Sequence, residues 1–224
     1  MSTVLDGKRR DALRIPILEQ VYGSRPAKVV LDDKHDLYRY VADYLGKDTQ
    51  LTYLEFGVAG GASISFLSDQ FSNPKTVFYG FDSFEGLPEA WLSLPKFAFG
   101  RNGQPPTIGD ARVKFVKGWF QNTIPPFFKQ WEKPAGPVLI HYDADLYSST
   151  LFALTVSWPH VQNYYFMMDD FLTDDAIALF DFAASYPVEV EFIAQAGRDG
   201  LGRATPSWIF GRVTTKEYQP VAET

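Results

Sequence analysis

Cysteine is absent from all 224 residues of the sequence. Disulfide bonds, thiolate metal sites and cysteine nucleophiles are therefore excluded. The sequence also lacks an apolar run of about 18 residues, the length that a membrane-spanning helix needs. Residues 1–10 are polar and charged, and no apolar segment follows them as it would in a secretory signal peptide. These absences predict a cytoplasmic protein that does not enter a membrane.

Clusters of basic residues are missing as well. The 21 Lys and Arg residues are outnumbered by 27 Asp and Glu residues, which gives a formal net charge of -6. A protein that binds nucleic acid needs a basic face to neutralise phosphates, and an anionic membrane surface makes the same demand. We therefore expect no nucleic acid and no membrane as a partner. The length favours one domain, residues 1–224, with a full core.

Short apolar runs alternate along the chain with amphipathic segments. The runs are typical of buried strands in length and in β-branched and aromatic content. They are Leu51–Val58, Thr76–Phe81, Val113–Val116, Pro137–Tyr142, Tyr164–Met168, Val188–Ile193 and Trp208–Val213. The helical segments are Asp32–Leu45, Ser63–Phe71, Ser148–Trp158 and Thr173–Tyr186. This alternation predicts an α/β fold with a mostly parallel seven-stranded sheet, helices on both faces and an antiparallel C-terminal hairpin.

Three regions lie outside this alternation. Residues 1–48 predict an N-terminal helical cap, whose helices could pair between the subunits of a homodimer. Residues 85–110 are rich in Pro, Gly and Phe, and loops of that length in a compact domain are typically lids or binding loops. Residues 195–206, rich in Gly and Arg, predict a second loop within the C-terminal hairpin.

A glycine turn follows the first predicted strand, in the segment Glu55-Phe-Gly-Val-Ala-Gly-Gly-Ala-Ser63. Glycines at the end of a buried strand allow a tight turn and a close approach of the backbone to a ligand. The G-x-x-G-G spacing differs from the G-x-G-x-x-G of dinucleotide sites, which makes a bound dinucleotide less probable. A purely structural turn is the alternative.

An acidic residue, Asp82, ends the second predicted strand 21 positions after Gly61. A carboxylate in this position can accept hydrogen bonds from the hydroxyls of a ribose. The alternative is an aspartate that only caps a turn. Together with the glycine turn, the position favours a nucleoside site.

Four aspartates follow two further predicted strands. Asp143 and Asp145 come after Pro137–Tyr142, and Asp169 and Asp170 come after Tyr164–Met168. Carboxylates that are crowded together repel unless a proton or a cation intervenes. Hard oxygen ligands suit Mg²⁺ or a similar divalent cation, whereas the alternative is a set of solvated helix caps.

Five segments in this order resemble the macrocin O-methyltransferase (TylF and MycF type) family of class I S-adenosylmethionine-dependent methyltransferases. They are Glu55–Ser63, Phe81–Glu89, Gly118–Pro125, Asp143–Thr150 and Asp169–Phe171. The resemblance implies a Rossmann-like fold and transfer of a methyl group from S-adenosyl-L-methionine. The acceptor that it implies is a hydroxyl of a small molecule, namely a sugar of a natural product. It also implies that the reaction requires a divalent metal such as Mg²⁺.

The resemblance also implies roles for individual residues. Those expected to bind the methyl donor are Glu55, Gly57, Gly61 and Ser63 at its methionine end, Asp82 and Ser83 at its ribose, and Gly118 and Trp119 near its adenine. Those expected to bind the metal are Asp143, Asp169 and Asp170. Asp145 resembles the general base, so Asp145 and Asp143 are the residues expected to carry catalysis.

Other functions share parts of this pattern. A catechol-like acceptor would suit the same metal chemistry. An NAD-dependent oxidoreductase would share the sheet and the glycine turn, but it would leave the four aspartates unexplained. A non-catalytic binding module could have kept the fold.

Overall fold

The computed structural model describes residues 22–132 and 134–216 of the chain. Eight strands and five helices lie in these ranges. The strands are β1 (Val29–Leu31), β2 (Thr52–Phe56), β3 (Val77–Asp82), β4 (Val113–Lys117), β5 (Val138–Tyr142), β6 (Tyr164–Met168), β7 (Val188–Arg198) and β8 (Ala204–Thr215). The helices are α1 (Lys34–Leu45), α2 (Ala62–Gln70), α3 (Phe120–Lys129), α4 (Tyr147–Val161) and α5 (Asp174–Ser185).

All eight strands form one sheet in the order β1-β7-β8-β6-β5-β2-β3-β4. Every pairing is parallel except those of β8, which runs antiparallel to β6 and to β7. The predicted α/β sheet and its antiparallel C-terminal hairpin are therefore confirmed. The chain crosses from one half of the sheet to the other between β2 and β5, and ligands of open α/β sheets bind at such a crossover.

The sheet has one strand more than the seven predicted. The extra strand, β1, has three residues and pairs with β7 at the sheet edge, and it lies within the predicted N-terminal cap. So short a run carries no periodic signal, which is why the sequence did not reveal it. Residues 1–21 of that cap lie outside the described residues.

The central strands are buried on both faces, as the apolar runs predicted. Leu54 and Phe56 of β2 pack into one core with α3, α4 and α5. Leu51 and Tyr53, which have the opposite parity, pack into a second core with α1 and α2. Helices therefore cover both faces of the sheet, and parity along β2 decides which core each side chain enters.

Two local features differ from the sequence prediction. Helix α3 was not predicted because it contains Pro125 and Pro126, which remove backbone donors. Its buried side chains Ile124 and Phe128, four residues apart, supply the packing that outweighs this loss. In the C-terminal hairpin, β7 continues to Arg198 and β8 begins at Ala204, so the turn is shorter than the predicted loop 195–206.

No helix in the described part of the chain is both long and apolar enough to span a membrane.

Candidate active site

The glycine turn joins the ends of the two strands at the crossover. Gly57, directly after β2, has φ +94°, and a β-carbon there would overlap the backbone carbonyl of Asp143. The amide of Asp143 donates to the carbonyl of Phe56 at 2.9 Å. Residue 57 must adopt a positive φ and must leave room for the carbonyl of Asp143. Only glycine meets both requirements, since a side chain there would be strained and would push the two strand ends apart. The turn thus fixes the position of Asp143.

Asp82, at the end of β3, holds the glycine turn in place. Its Oδ2 accepts hydrogen bonds from the amides of Val58 and Ala59, both at 2.8 Å, and its Oδ1 accepts from the amide of Phe84 at 2.7 Å. A carboxylate has about four acceptor positions, so one remains for a ligand hydroxyl. Asp82 is therefore both a turn aspartate and a residue with a free acceptor position at the crossover.

A cavity of about 410 Å³ lies beyond the carboxyl ends of β2, β3, β5 and β6. Nine of the predicted site residues line it. They are Gly57, Asp82, Ser83, Gly118, Trp119, Asp143, Asp145, Asp169 and Asp170. The structure thus brings together side chains from the five separate segments on which the site prediction rested.

Three predicted donor-binding residues are not on the cavity wall. Glu55 has the parity of Tyr53 on β2, so its side chain enters the core under α1 and α2, where it is fully buried. Ser63 lies inside α2 and its hydroxyl is bonded to Tyr38 at 3.1 Å. Gly61 is covered by the side chains of Pro106 and Ile108. These three residues are therefore not among those that line the cavity, and their contact with a methyl donor stays a prediction.

The four aspartates form two overlapping groups that share Asp143. Ligand atoms of Asp143, Asp145 and Asp170 all lie within 4.8 Å of one another, and so do those of His141, Asp143 and Asp169. The register between β5 and β6 explains this, because Tyr142 pairs with Met168 and the next residue of each strand is an aspartate. Asp143 therefore lies close to both Asp169 and Asp170, as the sequence predicted.

Asp145 and Asp170 share a strained and electrostatically unfavourable position. Their backbones have φ +61° and +40°, a left-handed conformation that costs energy in residues other than glycine. Burial, together with the charge of Asp170, raises the pKa of Asp145 to about 7. Burial and the charge of Asp169 also raise the pKa of Asp170. Strain and repulsion at one point of the cavity are typical of functional sites.

Asp169 has a positively charged neighbour instead. Its Oδ1 lies 2.8 Å from Nε2 of His141, whose Nδ1 lies 2.8 Å from the hydroxyl of Tyr53. Burial alone would lower the pKa of His141, but the charges of Asp169 and Glu55 raise it to about 10. Burial would raise the pKa of Asp169, but His141 outweighs it and holds that pKa below its usual value.

His141 also lies near Asp143, but its charge does not offset the effect of burial there. Burial raises the pKa of Asp143 well above its usual value, and the charge of Asp169 adds to the effect. The cavity therefore contains at least three carboxyl groups whose negative charges are incompletely balanced, which is the condition that a bound cation would relieve.

Sequence reasoning missed several residues of the cavity wall. Lys34, the first residue of α1, lines the cavity, and its charge acts on Asp169 and Asp170. Gln121 and Ser149 also line it, each within a segment whose neighbours were predicted. No motif marks Lys34, although the aspartate before it, Asp33, caps α1 by accepting from two amides.

The segment 85–110 forms one wall of the cavity. Leu87 and Trp91 pack against Leu146 in a small cluster apart from the main cores. Phe99 lines the cavity although about half of its surface is exposed, and its φ of +63° is unusual for an aromatic residue. The predicted lid segment is therefore ordered against the site through few apolar contacts.

Comparisons with known proteins agree with this geometry. Residues 107–192 match the family described as Macrocin-O-methyltransferase (TylF). A curated relative, demethyldecarbamoylnovobiocin O-methyltransferase of Streptomyces niveus, is 27% identical over 192 residues, covering 72% of this chain and 68% of the relative.

Two solved structures share the fold. The O-methyltransferase NovP aligns with a TM-score of 0.55 and 20% identity over 95% of this chain and 100% of its own. An O-methyltransferase from Bacillus cereus, solved with SAH, aligns with a TM-score of 0.54 and 14% identity over 91% of each chain. The family match and the curated relative agree with the resemblance seen in the motifs, and this chain is similar to O-methyltransferases of the macrocin O-methyltransferase (TylF) type over the matched residues.

Proposed function

We propose that the protein transfers a methyl group from S-adenosyl-L-methionine to a hydroxyl of a small molecule, a sugar of a natural product, and that a divalent cation assists. The convergence of Asp143, Asp145, Asp169 and Asp170 beside a glycine-lined cavity carries this proposal. The relative from Streptomyces niveus is named for O-methylation of demethyldecarbamoylnovobiocin, which supports a natural-product acceptor.

The walls of the cavity suit a nucleoside-bearing methyl donor. Gly57 keeps the floor free of side chains, Asp82 retains an acceptor position for a ribose hydroxyl, and Trp119 offers an aromatic face for a base. The neighbour from Bacillus cereus binds SAH in its own structure. These features support S-adenosyl-L-methionine as the donor, with Ser83 and Gly118 completing the wall.

The acidic groups fit a hard divalent cation. Oxygen ligands at about 2.1 Å from Mg²⁺ lie up to about 4.2 Å apart, close to the 4.8 Å within which each group of atoms falls. Asp143 belongs to both groups, Asp169 to one and Asp170 to the other. Both ring nitrogens of His141 already have protein partners, so we propose the carboxylates of Asp143, Asp169 and Asp170 as the ligands. When bound, the cation would supply charge that lowers the pKa of the acceptor hydroxyl.

The protein has three further tasks in this reaction. It must align the acceptor oxygen with the methyl group, and alignment of this kind is worth up to about 7–11 kcal/mol in favourable cases. Asp145, with a pKa of about 7, is suited to take the proton of the hydroxyl near neutral pH. The segment 85–110, with Phe99 at the wall, excludes water when it packs over the ligands.

The test is methyl transfer from labelled donor to a panel of sugars and catechols, with and without EDTA. We expect a sugar hydroxyl to be methylated in a Mg²⁺-dependent reaction. Asp143→Ala should abolish turnover while the affinity for S-adenosylhomocysteine stays close to that of the wild type. Full activity of this variant or of EDTA-treated protein would overturn the role of the metal, and exclusive use of catechols would overturn the acceptor class.

A further inference from the structure

A buried polar chain runs behind the cavity from β2 to β6. The hydroxyl of Tyr53 donates to Oε2 of Glu55, and its oxygen lies 2.8 Å from Nδ1 of His141. Nε2 of His141 lies 2.8 Å from Oδ1 of Asp169. Glu55 and His141 are fully buried, so no solvent can replace these bonds.

The number of available protons fixes the direction of these bonds. Tyr53 has a single hydroxyl proton, and it donates that proton to Glu55. Its oxygen must then accept from Nδ1–H of His141. On the other side the ring faces Asp169, which accepts at Oδ1, so Nε2 carries a proton too. His141 is thus a donor at both nitrogens, held between two carboxyl groups.

Asp169 has other partners besides His141: Trp208 forms a side-chain hydrogen bond with it, and the charge of Lys34 acts on it. The hydroxyl of Tyr38 reaches the same Oδ1 at the longer distance of 3.3 Å, and it also bonds to Ser63. His141 makes the shorter bond, at 2.8 Å, and its ring is fully buried, so water cannot take its place. We therefore expect the short bond to His141 to contribute to the direction in which Asp169 points.

We propose that His141 is a positioning residue for the metal site, which orients Asp169 towards Asp143, and that Tyr53 and Glu55 hold His141 in turn. This inference rests on the metal of the proposed function. It also gives Glu55 a role that its burial permits, because Glu55 acts through His141 and not by contact with the methyl donor.

The experiment measures Mn²⁺ affinity of metal-free protein by electron paramagnetic resonance, with S-adenosylhomocysteine present. His141→Leu removes both donors, and we expect the Kd for Mn²⁺ to rise about 10–100-fold, the range seen when second partners of metal ligands are lost. His141→Gln keeps an N–H donor and should restore an affinity close to wild type. His160→Gln is the matched control, because His160 stacks on Phe128 at the surface, outside the acidic groups.

Tyr53→Phe provides a second test of the proposal if His141→Leu does not fold. It keeps the ring in the core and removes only the hydroxyl that links Glu55 to His141, so the Kd should rise less than in His141→Leu but measurably. Unchanged Mn²⁺ affinity in both His141→Leu and Tyr53→Phe overturns the positioning role while leaving the proposed function intact. A wild-type protein that methylates its acceptor without binding Mn²⁺ overturns both.

Discussion

Two pairs of ionisable side chains lie next to Asp143, and they differ in how their charge is balanced. Asp169 lies against His141, which is held by Tyr53 on its far side. Asp145 and Asp170 lie against each other, on backbones with positive φ. Buried charges normally have partners. The unbalanced pair, Asp145 and Asp170, is therefore expected to take part in catalysis, whereas the balanced pair, Asp169 and His141, is expected to support the site structurally.

The largest effect should come from the unbalanced pair. Asp145→Asn removes the group that we expect to take the acceptor's proton, and loss of a general base lowers rates about 10²–10⁴-fold. The measurement is kcat at saturating donor and Mg²⁺. Binding of S-adenosylhomocysteine should be unchanged, because Asp145 is not part of the glycine turn.

An exposed aspartate on α2 supplies the control for that variant. Asp69→Asn makes the same chemical change at a surface position, and kcat should stay at the wild-type value. A kcat of Asp145→Asn within a few-fold of this control would mean that another group accepts the proton.

Substitutions in the two pairs should change the free energy of unfolding in opposite directions. Asp169→Asn removes one of the two carboxyl groups beside the buried His141 and leaves only Glu55, and breaking a buried pair costs up to about 3–5 kcal/mol. Asp145→Asn removes a repelled carboxylate, and one unit of raised pKa corresponds to about 1.4 kcal/mol, so it should stabilise metal-free protein at pH 8. Urea unfolding in EDTA measures both. Destabilisation by both variants alike would contradict the difference between the pairs.

The convergence of the aspartates could be predicted from the sequence because it follows from strand order alone. Asp143 and Asp169 each follow an apolar run, and adjacent parallel strands bring such residues to one edge of the sheet. The position of Glu55 could not be predicted in this way. A strand that is buried on both faces has no polar side to reveal parity, so the sequence did not show which core the side chain enters.

Residues that reach the site from distant segments were also beyond the sequence pattern. Lys34 arrives on α1 and Phe99 on a long irregular loop, and neither position is tied to the register of the sheet. Helix α3 overlaps the segment Gly118–Pro125, one of the five on which the family resemblance rests. Its prolines disfavour a helix, and the packing of its buried face stabilises the helix nevertheless. Local sequence patterns thus predict the residues at the strand ends, whereas tertiary contacts determine the positions of residues that reach the site from helices and loops.

The glycine turn connects the two pairs to the donor cavity, and Gly57→Ala tests that connection. A β-carbon at Gly57 would overlap the carbonyl of Asp143, so the variant should lose about 1–3 kcal/mol from overpacking and move Asp143. Gly60→Ala is the matched control, because its β-carbon would meet only an Arg101 side-chain atom, at 3.9 Å. The midpoint temperature of thermal unfolding and the affinity for Mn²⁺ should both fall in Gly57→Ala and stay at the wild-type values in Gly60→Ala. Equal behaviour would show that the turn does not position Asp143.

The smallest effect is a dependence of stability on pH in metal-free protein. The pKa of Asp145 is about 7 in the folded state, well above its value of about 3.9 in an unfolded chain, so folding takes up a proton between these values. Stability from this group is fully present below pH 3.9 and is lost as the pH rises through about 7. The raised pKa values of Asp143 and Asp170 act in the same direction.

Asp169 has the opposite sign, because its lowered pKa stabilises the fold above about pH 3.9 and that contribution is lost only in stronger acid. Between about pH 5 and 5.5 the balanced pair contributes little to the slope, because His141, with a folded pKa of about 10, is still mostly protonated in the unfolded chain, where its pKa is about 6.5. Urea unfolding across this window in EDTA should show stability falling by up to about 1.4 kcal/mol per pH unit for each proton taken up. Asp145→Asn should reduce the slope, and saturating Mg²⁺ should reduce it to the part that comes from Glu55 and Asp175, whose pKa values burial also raises. A flat profile in metal-free protein would mean that the charges of Asp145 and Asp170 are already balanced.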